Sequence, residues 1–373
     1  MNILFFHRWT GVRGGGTESH LKGLVKNFSP KHKLTLLTRK GGQIDFLRKG
    51  FPELTIITVP RAPFENDNSY ENPFLLYMYT AIFMALSFIK LTRLLLTKKI
   101  RPDIISVHFA TEAVIAKLIR LLFRIPYIFI LEGYTPWEGK EAKYANKVVS
   151  ISHYISKKCD ENYGYYPEVI YIGEDIFPTI DRSALTEKLK KNSKLVLTLC
   201  RLEPRKNLIN LVKAIHIIRK TSNRKDISFL IGGTGIMEEQ IKKLIKELNL
   251  TKDIKLLGFV PQTDKVATYQ KADIYLLPTY EEGFGIVFAE AMKSGCAIIS
   301  TNKTAIPEIL DGAGQLIEDP NDITEIANAV VTLIDNQVLR KKLVLKGLET
   351  AKKYDWGKLI KDYEKAYMKA INL

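Results

Sequence analysis

Short apolar runs recur along the chain at intervals that fix its class. Residues 2–7 (NILFFH), 33–38 (KLTLLT), 54–59 (LTIITV), 103–108 (DIISVH) and 126–131 (PYIFIL) are rich in β-branched and aromatic side chains, as buried strands are. The longer stretches between several of them can hold helices. Strands alternating with helices pair in parallel, so an α/β sheet covered on both faces is expected. The pattern restarts at 195–200 (LVLTLC) and continues through 227–233 (ISFLIGG), 254–260 (IKLLGFV), 273–278 (DIYLLP) and 296–300 (CAIIS). Two βα domains in series follow. Between them the segment 168–183 (EVIYIGEDIFPTIDRS) breaks the alternation, and its Gly173 and Pro178 read as linker. The boundary is placed near Pro178, giving domains 1–178 and 179–354. In the tail, Trp356, Ile360, Tyr363 and Tyr367 fall at helical spacing and predict a helix with one docked apolar face.

Length agrees with two domains, since 373 residues exceed what one hydrophobic core usually serves. Hydrophobic residues at 46% and charged residues at 26% exclude a disordered or fibrous chain. No fixed-period repeat points to a solenoid. Cys159, Cys200 and Cys296 form no CxxC pair and have no partner histidines at metal spacing, so neither a disulfide framework nor a zinc site is expected, and a reducing cytoplasm fits. The N-terminal apolar stretch is too short for a secretory signal and reads as a first strand.

Four stretches carry candidate chemistry. After the first strand, GVRGGGTESHLKGLV places Gly14–Gly16 where backbone amides can approach a phosphate before Thr17 or Ser19 opens a helix. It does not match a dinucleotide fingerprint, and a plain structural turn explains it equally well. In LCRLEPRKNL, Arg201 and Lys206 flank a proline turn at the carboxyl end of a strand, where a guanidinium fork and an ammonium suit a diphosphate. A solvated basic loop is the competing reading. LIGGTG at 230–235 resembles a nucleotide loop and equally permits a helix to start close to the sheet. His7 and His108 end strands and are taken as hydrogen-bonded structural residues. Last, TYEEGFGIVFAEAMKSG holds Glu282 before a helix and Glu290 inside it, as acceptors for sugar hydroxyls or, alternatively, as the carboxylate pair of a glycoside hydrolase. The two cations and the glycine turn, which a hydrolase does not need, weigh against the latter.

Taken in order, GGTE at 15–18, RLEPRKN at 201–207, GGTG at 232–235, EGFGIVFAE at 282–290 and the Trp356 tail resemble the retaining, nucleotide-sugar-dependent glycosyltransferases of family 4, over nearly the whole chain. The resemblance implies a GT-B fold, two Rossmann-like domains facing across a cleft, with the last helix (355–373) packing back on the first. It implies that Arg201 and Lys206 hold the donor diphosphate, that Glu282 contacts the transferred sugar and that Glu290 binds the ribose. Backbone around Gly283, Phe284, Gly285 and Ile286 would meet sugar or phosphate, and Gly15 and Gly16 would let the other domain close. Catalysis would require no metal or other cofactor. Two positions depart from the family: Glu132 stands where a histidine is usual, and Ile172-Gly173 replaces Asn-Gly. Glu132 either polarises the acceptor hydroxyl, contacts the sugar, or is structural. A nucleotide-sugar epimerase, a phosphorylase and a non-enzymatic polyanion-binding protein are the alternatives.

The formal net charge of +16 calls for an anionic partner. Residues 73–89 (PFLLYMYTAIFMALSFI) carry no charge but are short for a span, so a core or interfacial helix is expected. Lys90, Arg93, Lys98, Lys99 and Arg101 follow it, and Lys117, Arg120 and Arg124 share a helical face. Peripheral contact with the anionic cytoplasmic face of a membrane is therefore expected, with a lipid-linked or other glycan acceptor. Nucleic acid is not, because no binding motif accompanies the charge.

Overall fold

The computed structural model describes residues 1–8, 15–41, 44–61, 73–174, 178–181, 183–185, 194–222 and 226–373. The chain divides into two units, one made of Met1–Gly173 with Trp356–Leu373 and the other of Glu174–Asp355.

In the first unit the order is β1 (Asn2–Phe6), α1 (Gly16–Phe28), β2 (Lys33–Arg39), α2 (Ile44–Gly50), β3 (Thr55–Val59), α3 (Pro73–Leu96), β4 (Ile104–Val107), α4 (Ala110–Phe123), β5 (Tyr127–Leu131), α5 (Pro136–Ala142), β6 (Lys147–Ser150), α6 (His153–Tyr163) and β7 (Glu168–Val169). The strands form one parallel sheet in the order β3-β2-β1-β4-β5-β6-β7. Every residue of β4 and β5 is buried, which is why those strands read as continuous apolar runs. Helix α1 opens earlier than Thr17 or Ser19: Gly15, with extended backbone, is its N-cap, and the Gly15 carbonyl accepts from the Ser19 amide at 3.0 Å.

The second unit runs β8 (Lys194–Leu199), α7 (Leu208–Ser222), β9 (Ile227–Gly232), α8 (Glu238–Glu247), β10 (Ile254–Gly258), α9 (Gln262–Lys271), β11 (Ile274–Leu277), α10 (Ile286–Lys293), β12 (Ala297–Thr301), α11 (Ile306–Leu310), β13 (Gly314–Ile317), α12 (Ile323–Asp335) and α13 (Gln337–Thr350). Its sheet is parallel in the order β10-β9-β8-β11-β12-β13. Val196, Leu276 and Ile299 from the strands pack with Leu211 and Ile215 of α7 and Val330 and Leu333 of α12 in one core. The chain then returns to the first unit as α14 (Trp356–Ile371).

Three findings differ from expectation. Strands β6, β7 and β13 have no counterpart among the apolar runs, and β7 occupies the start of the segment read as linker. The division between units falls after Gly173 rather than near Pro178. Gly173 is also a packing residue: a Cβ there would lie 2.4 Å from the Trp356 ring, as would one on Gly23. The two glycines make room for the indole, beside which Tyr363 lies with centroids 5.7 Å apart, while Tyr367 is buried edge-on against Phe28 at 5.1 Å. Finally, the apolar run at 73–89 belongs to a helix of 24 residues, and only 22% of its most apolar window is buried, so it is not a core helix. By length and composition it could cross a membrane.

Candidate functional site

In each sheet the strand order reverses once, between β1 and β4 in the first unit and between β8 and β11 in the second. Loops leaving the carboxyl ends of such neighbours diverge, and open α/β sheets take ligands at that point. In the second unit the β8 loop carries Arg201 and Lys206, and the β11 loop carries Glu282.

The two loops are tied together by their own backbone. Pro204 starts one turn of 3-10 helix, Pro204–Lys206, which ends at Asn207 in the left-handed region with φ of 58°. The Asn207 amide then donates to the carbonyls of Pro278 at 3.0 Å and Pro320 at 2.6 Å. The Arg205 carbonyl accepts from the Thr279 hydroxyl at 2.8 Å and from the Tyr280 amide at 2.9 Å. Glu282 is fixed in turn by its amide, which donates to the Thr304 hydroxyl at 3.0 Å.

On that frame the side chains form an alternating chain of charge. Arg201 Nη1 lies 2.9 Å from Glu203 Oε1, and Arg205 Nε lies 3.1 Å from Glu203 Oε2. Arg205 Nη1 is 3.5 Å from Glu282 Oε2, and the buried Lys206 ammonium donates to Glu282 Oε1. Three cations face two carboxylates. Arg205 is a member the sequence reading passed over, although it stands beside Lys206. The solvated-loop reading fails for Lys206, which is buried, while Arg201 is partly exposed. Burial pushes the Cys200 thiol up to about 12, the nearby charges adjusting it less, so it is no nucleophile.

The GGTG stretch supports this loop by close approach. A Cβ on Gly233 would fall 1.8 Å from the Cys200 carbonyl oxygen, and one on Gly235 would fall 2.5 Å from that of Leu202. The Leu202 amide donates to the Thr234 carbonyl at 3.0 Å. These glycines let the loop after β9 lie against the loop after β8.

Gly283, Phe284, Gly285 and Ile286 lead into α10. Gly285 takes φ of +80° as its N-cap, and a Cβ there would meet the Phe288 ring at 2.6 Å. Phe284 packs its buried ring edge-on against Tyr354, with centroids 5.1 Å apart, so the ring is committed to the core. The Phe288 amide donates to the Gly285 carbonyl at 2.9 Å, and the amides of Ile286 and Val287 at the helix start suit an anion. Glu290 is buried inside α10, and Lys265 of α9 holds its Oε1 at 2.5 Å. Burial first, and the Glu290 carboxylate second, hold the Tyr269 hydroxyl well above its ordinary pKa. Glu282 and Glu290 thus each have their own lysine. Lys265 belongs to no motif and was not foreseen.

The first unit gathers a second group. Glu132, just past β5, accepts through Oε1 from His108 Nδ1 at 2.7 Å and from His20 Nδ1 at 2.9 Å. Burial alone would raise the Glu132 carboxyl, but the two imidazoles outweigh it and hold it well below the usual carboxylate range. With that carboxylate ionised, each Nδ1 carries its proton. Burial lowers His20, and it lowers His7, whose ring lies 5.4 Å from that of His108, to about 3. Ligand atoms of His20, His108 and Glu132 lie within 4.8 Å of one another, so these residues could hold a metal ion, although the observed contacts are those of two N–H donors on one carboxylate. His20 carried no sequence signal. Gly15 and Gly16 start α1, while Gly14 lies outside the described residues.

Residues 181–350 match the family model for glycosyl transferases group 1. O-antigen chain mannosyltransferase B of Escherichia coli is 30% identical over 155 residues, 42% of this chain and 40% of that protein. An uncharacterized glycosyltransferase of Methanocaldococcus jannaschii is 29% identical over 279 residues, 71% of this chain and 75% of the relative. The phosphatidyl-myo-inositol mannosyltransferase of Mycobacterium leprae is 33% identical over 167 residues, 44% of this chain and 43% of the relative. The match therefore spans less than half the length of the two mannosyltransferases. Among solved structures, HepE of Anabaena in complex with UDP and glucose superposes with a TM-score of 0.76 at 18% identity, covering 99% of both chains. Sucrose-phosphate synthase of Thermosynechococcus elongatus gives 0.75 at 15% identity, covering 98% of both. The fold is GT-B. Both Rossmann-like α/β units of the GT-B fold are accounted for by the two parallel sheets described above.

Proposed function

We propose that the protein is a retaining glycosyltransferase of family 4 that moves a hexose from a nucleoside diphosphate sugar to a lipid-linked or other glycan acceptor. The observation that carries this reading is the set Arg201, Arg205 and Lys206 around Glu282 at the β8/β11 reversal. Three cations on the β8 loop, tied to the β11 loop that leads through Glu282 into α10, are suited to a diphosphate whose charge grows as it leaves. The group 1 match over 181–350 supports the class, and the mannosyltransferase relatives support a hexose.

In the transfer, the bond from the anomeric carbon to the donor diphosphate breaks as the bond to the acceptor oxygen forms. The acceptor proton leaves with the diphosphate. Arg201, Arg205 and Lys206 neutralise that leaving group without a required metal, and the preceding ion pairs keep them oriented for it. Glu282 contacts the sugar, and Glu290, steadied by Lys265, takes the ribose hydroxyls. Gly283–Ile286 offer backbone amides to sugar or phosphate, and Gly15 and Gly16 admit close approach on the first unit. Glu132, with Oε1 taken by two histidines and the buried Oε2 without a hydrogen-bond partner among the described residues, polarises the acceptor hydroxyl. The protein would work in the cytoplasm, at the membrane where its acceptor resides.

The test is turnover against a panel of uridine and guanosine diphosphate sugars with lipid extracts and soluble glycans as acceptors, the product's anomeric configuration being read by NMR. Release of nucleoside diphosphate with an α-linked product from an α-linked donor is expected. An inverted linkage removes the retaining assignment, and donor binding without transfer to any acceptor overturns the enzymatic one.

A further inference from the structure

Helix α3 presents two unlike sides. Tyr79, Phe83, Ser87, Leu91 and Leu95 recur every fourth residue and are buried, which commits one side to the body of the first unit. The opposite side holds Phe74 and Tyr77, each 74% exposed, with Ala81, Ala85 and Ile89 following at helical spacing. Helix α4 packs beside α3 and exposes two more large apolar side chains, Leu121 and Leu122, 73% and 62% exposed. Large apolar side chains exposed together on two neighbouring helices mark an interaction site.

The charges around it choose the partner. From Pro73 to Arg101 the chain has no aspartate or glutamate, while Arg93, Lys98, Lys99 and Arg101 are exposed at one end of the helix. Arg124 is exposed at the end of α4. On α4, Lys117 lies over the Tyr144 ring at 3.5 Å and the exposed Arg120 donates to the Tyr144 carbonyl at 2.9 Å, contacts that hold both side chains beside α5 and leave their charge unpaired with any carboxylate among the described residues. Lys90 is likewise engaged, donating to the Thr58 carbonyl at 2.6 Å. A second copy seated on the same face would oppose like charges, whereas a sheet of anionic head groups over an apolar layer matches both features.

We propose that the outward face of α3, with Leu121 and Leu122 of α4, is a docking surface for an anionic lipid bilayer, lying in the plane of the interface with Arg93, Lys98, Lys99, Arg101 and Arg124 on the head groups. The helix does not span, because crossing would strip its buried side from the unit. Apolar insertion and charge act together in such helices, and each basic residue near the surface contributes about fivefold in partition. The surface stands on its own geometry, independently of the transferase reading.

Flotation of the full chain with phosphatidylcholine vesicles, and with vesicles that also contain phosphatidylglycerol, tests it at low and high salt. The protein should float with the anionic vesicles and less so at high salt. Replacing the exposed Phe74, Tyr77 and Leu121 by serine should abolish flotation while far-UV circular dichroism stays unchanged. Lys98→Gln, Lys99→Gln and Arg101→Gln together should lower partition onto anionic vesicles by roughly a hundredfold and leave the neutral ones unaffected. The proposal falls if the parent stays in solution with both vesicle types at low salt, or if the serine variant floats like the parent. It falls equally if the parent forms a dimer that the serine changes dissolve without any vesicle binding, which would assign the face to a second copy.

Discussion

Lys206 is buried against Glu282, so its removal has two consequences that can be separated. Lys206→Ala leaves the buried Glu282 carboxylate with Arg205, 3.5 Å away, as its remaining cation, and the lost charged hydrogen bond costs about 1.5 to 3 kcal/mol of stability. It also removes a stabiliser of the leaving group, and turnover should fall by roughly a hundredfold or more. The double change Lys206→Met with Glu282→Gln should restore most of the urea midpoint and none of the turnover. Near-normal turnover in a folded Lys206 variant would take this residue out of the mechanism. Glu290→Gln should weaken binding of free nucleoside diphosphate by about tenfold, as the loss of a charged acceptor does, with equal affinities in calorimetry as the contrary result. Arg201, Lys206, Glu282 and Glu290 were legible in the sequence because each sits within a few residues of a strand end or glycine turn. Arg205, Lys265 and His20 were not. Their roles come from partners distant in sequence, such as Glu290 for Lys265 and Glu132 for His20, and no local pattern records such a pairing.

Elements follow the same logic at the next scale. The ten apolar runs read from the sequence all became strands: β4 and β5 are buried on both faces and so apolar throughout, while β3 and β10, partly exposed, were marked by their β-branched and aliphatic residues. The three missed strands are two to four residues long and each carries a polar residue or glycine, KVVS in β6, EV in β7 and GQLI in β13, so none leaves a continuous apolar run. Gly285 at the start of α10 is a steric requirement. Gly285→Ala must place a side chain at φ of +80° against the Phe288 ring, and about 1 to 3 kcal/mol of stability should be lost, with turnover falling as the α10 start shifts. Urea unfolding and initial rates measured on the same preparation check both, and an unchanged midpoint would mean that the backbone relaxes freely there. Trp356→Ala should cost about 3 to 5 kcal/mol, since the indole fills the space that Gly23 and Gly173 leave for it.

For the whole molecule, the two units should respond differently to acid. Burial lowers His7 from 6.5 to about 3 and lowers His20 as well, while the two imidazoles hold Glu132 below the usual carboxylate range against the effect of burial. A histidine whose folded pKa is depressed is neutral in the folded chain while the unfolded chain takes up a proton. Its penalty therefore begins as pH falls through about 6.5 and is complete near the folded value. Glu132 adds to this at lower pH, because its stabilisation is present above about 4.5 and is lost as pH falls towards its folded value. Both signs agree, and both sets of groups lie in the first unit. His7 alone should remove about 2 kcal/mol between about pH 7 and about pH 5, from the proton uptake of the unfolded chain. Of the three tryptophans in the sequence, Trp137 and Trp356 are described and lie in that unit, and none falls within 174–355, so indole fluorescence does not report on the second unit. The fluorescence midpoint in urea should fall between those two pH values more than the far-UV circular dichroism midpoint, which also includes the second unit. Because His7 packs edge-on against Phe109, His7→Phe offers an apolar replacement that cannot take up a proton and should flatten part of the fluorescence trend. A fluorescence midpoint that stays level from about pH 7 to about pH 5 would mean that His7 and His20 titrate in the folded chain much as they do in the unfolded one.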